Sequence, residues 1–190
     1  MNPFIGMIAS QLGGPVVGQI AQQIGSDSGA TQSAINMALP MMLSAMGNHA
    51  ADGNGADELH QAAQNHDNSI IDDVMGFLSN SAGSGMGNDI LGQFLGGNGN
   101  AIANVIGQQS GIGTGSAMQL LGILAPIVMG ALGKSSQANG LDAGGMAQML
   151  GAAAGSSGGN DLLGTATKML DQDGDGNVME DIAGLIGKIL

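Results

Sequence analysis

The chain has 190 residues and a formal net charge of −12, with three Lys, no Arg, no Cys, no Tyr or Trp and three Phe. Such a chain cannot neutralise phosphates and offers little aromatic surface for bases, so nucleic-acid binding is excluded, and anionic membranes repel it. The absence of Cys excludes disulfides, thiol chemistry and thiolate metal sites.

The apolar share is 43%, enough for a core, but Ala, Leu, Ile, Val and 14 Met must fill it. The 36 Gly follow no collagen-like period. Each Gly inside a helix costs about 1 kcal/mol relative to Ala, which points to short helices held by tertiary packing.

The opening stretch, MNPFIGMIASQLGG, lacks the basic region of a cleavable secretory signal. Residues 20–47, IAQQIGSDSGATQSAINMALPMMLSAMG, carry the first long helical pattern, with Thr31 as a helix-start residue. Pro40 falls inside the apolar run, which predicts a kinked helix or a second helix with the proline in its first turn. Met37, Met41, Met42 and Met46 stand at helical spacing and read as core filling; an adaptable groove or a copper(I) site is the functional alternative. Residues 56–64 and 70–78 suit short helices bounded by Gly, Ser and Asn. Residues 80–100 read as a Gly-rich connector with a short helix. Residues 106–133, IGQQSGIGTGSAMQLLGILAPIVMGALG, form the second long pattern, with Ser116 as its start and Pro126 inside it. The uncharged stretch 112–133 is long enough to span a bilayer, and Gly122 and Gly130 would allow close helix contacts there. Its polar positions and central proline favour a buried core helix. Residues 145–154 and 161–170 read as further short helices. No alternating run of β-branched and aromatic residues suggests a strand.

The two long patterns align without a gap at an offset of 86: Ile20, Gln22, Gln23, Gly25, Gly29, Pro40, Ala45 and Gly47 meet Ile106, Gln108, Gln109, Gly111, Gly115, Pro126, Ala131 and Gly133. A weaker match pairs DNSIIDDVMGFL at 67–78 with DGNVMEDIAGLI at 175–186. These matches predict two related helical repeats, 1–80 and 101–190, joined by 81–100.

The strongest local motif follows the 161–170 segment. Asp171, Asp173 and Asp175 alternate, Gly176 takes the sixth position and Asn177 the seventh, with Glu180 and Asp181 behind. Calcium takes six to eight oxygens in a flexible shell, and carboxylates at alternate loop positions converge on one point. Glycine at position six permits the sharp turn, and Asn177 offers its backbone carbonyl. An EF-hand closes with Glu at position twelve, which is Ile182 here. Asp181 or water must then complete the shell, so binding is expected near the range of extracellular modules, roughly 10⁻⁴–10⁻³ M. The predicted metal ligands are Asp171, Asp173, Asp175, Asn177, Glu180 and Asp181, between helical segments ending at Leu170 and running 182–190. The matching stretch of the first repeat, with Asn65, Asp67, Ser69, Asp72 and Asp73, lacks counterparts of Asp171 and Gly176 and reads as a decayed, structural loop.

Other constellations are weaker. His49, His60 and His66 are the three histidines. The latter two, with Asp57 or Asp67, are a transition-metal alternative to isolated surface histidines. No nucleophile motif and no His-Glu-x-x-His motif is present, so no catalytic residue is assigned.

The Gln-x-Gly segments, the proline-bearing apolar helix ending Gly130–Gly133 and the terminal LDQDGDGNVMEDIAGLIGKIL together resemble the YidB-like bacterial proteins, a domain family of unknown function. The resemblance covers 85–190 best. It implies an all-helical, irregular array and a bacterial source, and it carries no catalytic residues. The chain departs from it in its Met and Gly content and its scarcity of Lys.

These readings converge on an all-α protein: an irregular array of short helices from two repeats, ending in a helix–loop–helix that binds Ca2+. The expected role is non-catalytic and structural, with self-association into a homo-oligomer. A membrane-active or pore-forming role through 112–133 is the alternative. The expected location is bacterial, either cytoplasmic or exported without a cleavable signal.

Overall fold

A computed structural model describes residues 3–80, 86–96 and 98–155. Among these residues there are nine α-helices, one 3₁₀ turn and no strand, so the chain is all-α. The helices are α1 Pro3–Gln11, α2 Gly14–Ile24, α3 Ser28–Ala51 and α4 Gly55–Asn65, then a 3₁₀ turn Asn68–Ile71 and α5 Val74–Asn80. They continue as α6 Met86–Phe94, α7 Asn98–Ser110, α8 Thr114–Asn139 and α9 Ala143–Gly155.

Local chemistry sets the helix ends. Pro15 occupies the first turn of α2, where a missing N–H costs nothing. Helices α2 and α8 both stop at a left-handed glycine, Gly25 at φ +67° and Gly140 at φ +60°. In each case the following N–H reaches back: Ser26 to Ala21 O and Leu141 to Ser136 O, both at 2.9 Å. This closes the last turn with a 6→1 bond that only glycine's φ permits cheaply.

The starts fall earlier than Thr31 and Ser116. Asp27 caps α3, its carboxylate accepting from Ala30 N–H at 2.9 Å. A short carboxylate suits both the free amides and the dipole of a helix start. Thr31 is instead fully buried inside α3. Helix α8 begins at Thr114, whose hydroxyl donates to Asn104 Oδ1 at 2.9 Å. Ser116, in the first turn, donates to Ile24 O at 2.8 Å and ties α8 to the end of α2.

Both proline-bearing stretches run on as single helices with the proline inside. Pro126 has no N–H for the carbonyl of Gly122. There Gly87 of α6 lies so close that a β-carbon would overlap Gly122 O. Only a residue without a β-carbon can approach there. The segment 70–78 divides into the 3₁₀ turn and α5, because the Asp73 carboxylate accepts from Gly76 N–H at 2.8 Å and starts a new helix. The 80–100 stretch holds α6 and the start of α7 rather than one short helix.

Helices α3 and α8 form the inside of the array. Helix α8 packs on α1, α2, α3, α4, α6, α7 and the 3₁₀ turn, and α3 packs on α2, α4, α6, α7, α8 and α9. Their side chains Ile35, Met42, Leu43, Met46, Leu120, Leu121 and Leu124 are fully buried. Each such side chain contributes about 1.5–3 kcal/mol. A helix with partners on most sides can be apolar around most of its circumference. Helix α8 has the length and apolarity to cross a membrane, and most of it is buried against its neighbours. Met42 and Met46 are core, while Met37 and Met41 stay partly exposed.

Candidate metal centre

The predicted ligands Asp171, Asp173, Asp175, Asn177, Glu180 and Asp181 lie outside the described residues, as do the flanking segments 161–170 and 182–190. Their donor set is all oxygen, which suits a hard cation such as calcium rather than copper or zinc.

The related stretch 65–73 is described. Asp67 heads the 3₁₀ turn, and one of its oxygens accepts from Ser69 N–H at 3.0 Å and Ser69 Oγ at 2.6 Å. These two bonds hold the Asp67 carboxyl below the usual carboxylate range. Asp72 pairs with Lys134 on α8. Both side chains are about half exposed, so the pair contributes at most about 1 kcal/mol. Asp73 caps α5. The three carboxylates thus serve three separate partners: Ser69, Lys134 on α8 and the start of α5.

The same use of acids extends further. Asp142 accepts from Gly145 N–H at 2.8 Å at the start of α9. Asp57 and Glu58 lie in the first turn of α4 and Asp89 in that of α6, where negative charge suits the helix dipole. Among the described residues no three His, Asp or Glu side chains come together as a metal site. The other six of the chain's fifteen acidic residues fall in 161–181.

The histidines are separated and hold packing contacts. His49 Nε2 stands 3.4 Å from Glu58 Oε2, close enough for an ion pair, yet without hydrogen-bond alignment. Its ring meets Phe94 edge to face at 5.4 Å. His60 Nε2 accepts from Gln64 Nε2 at 2.6 Å, and its Nδ1 faces Ser136 Oγ at a long 3.5 Å. Ser136 is buried and donates onward to Leu141 O at 2.9 Å. His66 Nε2–H donates to Pro126 O at 3.1 Å, pinning the end of α4 to the proline turn of α8. Burial pushes the His66 pKa down, outweighing the opposing effects of that bond and of Asp67.

The sequence reading did not find the caps Asp27 and Asp142 or the crossing of α4 onto α8. The crossing depends on Gly133, where a β-carbon would overlap Ala63 O and the Asn68 amide. Gly130 faces the same turn, its β-carbon position 3.5 Å from Asp67 O and 3.7 Å from Ile70 Cβ. The small residues that would suit lipid-embedded helix contacts here serve contacts within the protein. Asp and Asn just before apolar periodic runs were the available signal for the caps.

The fold and these contacts define an all-α protein in which Asp27, Asp73 and Asp142 cap helices and Asp67 fixes a turn. Residues 6–135 match a family described as bacterial protein of unknown function (DUF937), and the chain belongs to that family. No curated protein and no solved structure matches the chain.

Proposed function

We propose that this protein is a non-catalytic, calcium-binding, self-associating helical scaffold, allied to the YidB-like bacterial proteins. The observation that carries the reading is the spacing Asp171-Gln-Asp173-Gly-Asp175-Gly176-Asn177 followed by Glu180 and Asp181. Alternate carboxylates with glycine at the sixth position are what an oxygen shell for Ca2+ requires. Asp171, Asp173 and Asp175 would supply carboxylate oxygens, Asn177 its backbone carbonyl, and Glu180 or Asp181 the closing oxygen. The net charge of −12 opposes association of chains, and bound calcium would lower that repulsion.

Titration calorimetry on the full chain tests the site. One dominant calcium site per chain is expected, abolished by Asp173→Ala and kept in Asp67→Ala, since Asp67 is engaged with Ser69. Unchanged affinity in the Asp171→Ala, Asp173→Ala double variant overturns the assignment. The membrane-active alternative has one feature in its favour, the length and apolarity of α8. It requires α8 to leave six helical neighbours, so it predicts flotation with neutral phosphatidylcholine vesicles together with loss of protection of the α8 amides.

A further inference from the structure

Helices α3 and α8 occupy matching places but are covered differently. Their first residues, Ser28 and Thr114, stand 86 positions apart, as do Pro40 and Pro126, and Gly47 and Gly133. Each receives the helix that follows the other. Helix α4 brings Ala63 O onto Gly133 of α8. Helix α9 brings Leu150 onto Gly47 of α3, where a β-carbon would stand 3.6 Å from Leu150 Cβ and 3.8 Å from Leu150 O.

Beyond α4 the chain continues over α8. His66 bonds Pro126 O, and Asp67 and Ile70 cover Gly130. Pro126, Ile127, Gly130 and Ala131 are all buried. Their counterparts on α3, Pro40, Met41, Ser44 and Ala45, all keep partial exposure. The next element of that cover, α5, packs on α2, where Gln23 Nε2 donates to Leu78 O at 3.0 Å and Gln19 to Ser79 Oγ at 3.2 Å. The counterparts on α7 are Gln109, which is exposed, and Val105, a large apolar side chain 38% exposed. Helices α3 and α7 pack together, and none of these positions carries a charge.

The chain holds a second segment with the chemistry of the cover. Across 67–78 and 175–186, Asp67, Asp73 and Gly76 recur as Asp175, Asp181 and Gly184. Ile70, Ile71, Val74, Phe77 and Leu78 are answered by Val178, Met179, Ile182, Leu185 and Ile186. Helix α9 ends at Gly155, leaving residues 156–174 to reach the strip. From Gly47 to Pro40 is about 10 Å along a helix at ~1.5 Å per residue, well within the span of such a connection.

We propose that residues 175–186 dock in the same chain on the strip Met37–Ala45 of α3 and on Val105 and Gln109 of α7, as 67–78 cover α8 and α2. The docking rests on apolar contact and on this reciprocal arrangement, independently of calcium. Because Asp175 begins the docking segment, an ion held by Asp171, Asp173 and Asp175 would be linked to it.

Paired cysteines in this Cys-free chain test the contact. Gly130→Cys with Ile70→Cys is the positive control, since the 3.7 Å separation is that of a disulfide's β-carbons. The equivalent pair is Ser44→Cys with Val178→Cys. Ser10→Cys, exposed on α1, with Val178→Cys is the negative control. The full-length variants are oxidised at low concentration, with calcium and with chelator, and read by mobility and peptide mass. The 44–178 bond within single chains, in either condition, supports the docking. Its absence in both conditions, bonds only between two chains, or equal yield from the 10–178 pair each overturns it. A second measurement avoids the cross-link. Thiol labelling of Met41→Cys should quicken about tenfold when Val178→Asp is added, equivalent to about 1.4 kcal/mol. Unchanged labelling, with helical content preserved, overturns the docking as well. Calorimetry without calcium heats alongside a 44–178 bond would remove the calcium reading and leave the docking. Calcium heats without the bond would do the reverse.

Discussion

Replacing Gly133 by Ala should destabilise the protein, against the ordinary preference of helices for alanine. On helix propensity alone the change gains about 1 kcal/mol. At this position the added methyl would overlap the backbone oxygen of Ala63 and the side-chain amide of Asn68. The amide can turn away, but a backbone oxygen cannot move without carrying the end of α4 with it. Asn68 is also no idle neighbour. With its nitrogen facing α4, it donates to Ala63 O and His66 O at 3.3 Å and accepts from Gln137 Nε2 at 2.8 Å. Overpacking of this kind costs about 1–3 kcal/mol, and loss of a buried-edge hydrogen bond adds about 1 kcal/mol. The expected net loss is therefore about 1–3 kcal/mol, or roughly 2–12 °C in Tm for a chain of this size. The matched control is Gly18→Ala in α2, where a β-carbon meets nothing within 4 Å. That variant should gain up to about 1 kcal/mol. Urea and thermal unfolding followed by helical circular dichroism measure both. A Gly133→Ala protein as stable as Gly18→Ala would show that α4 does not approach α8 as closely as described, and the packing scheme would fail with it.

His66 gives the protein a pH response of definite sign. Its folded-state pKa lies below the unfolded value of 6.5, so the folded protein favours the neutral ring. Its contribution is complete above pH 6.5 and declines as pH falls from there to the folded pKa, below which it is constant. His66→Gln should remove that part of the acid dependence, and an identical pH profile in wild type and variant would refute the assignment. Leu124→Ala, at a fully buried position of α8, should cost about 2–5 kcal/mol, and a loss under about 1 kcal/mol in urea unfolding would contradict its place in the core. Calcium at a hundredfold excess over Kd should add about 2.7 kcal/mol, or roughly 5–11 °C in Tm, and produce a larger sedimenting species that a chelator reverses. Equal mass and equal Tm in calcium and chelator would deprive the scaffold reading of its mechanism.

Much of the local structure was legible because it depends on neighbours in sequence. The helical class followed from Ala, Leu, Met and Gly without β-branched alternation, and the bounds of α4 and α9 followed from short amphipathic runs between Gly, Asn and Ser. The matched prolines and glycines of 20–47 and 106–133 could be seen as letters, and Met42 and Met46 as core from their spacing. The acidic pattern 171–181 could also be seen as letters, and it lies outside the described residues. Other features depend on residues far apart, and no local pattern encodes them. Pro126 could end a helix or lie within one. The packing around it, with Gly87 at the freed carbonyl and His66 at its own, accompanies a continuous helix. An uncharged 22-residue stretch reads alike in a bilayer and in a core. Only the tertiary structure shows that most of this stretch packs against other helices of the same chain. The acids Asp67, Asp72 and Asp73 looked like remnants of one loop site, but each was claimed by a different element: the 3₁₀ turn, Lys134 of α8 and the start of α5. Sequence determines which groups a segment carries, whereas the directions in which they point depend on what the rest of the chain packs against it.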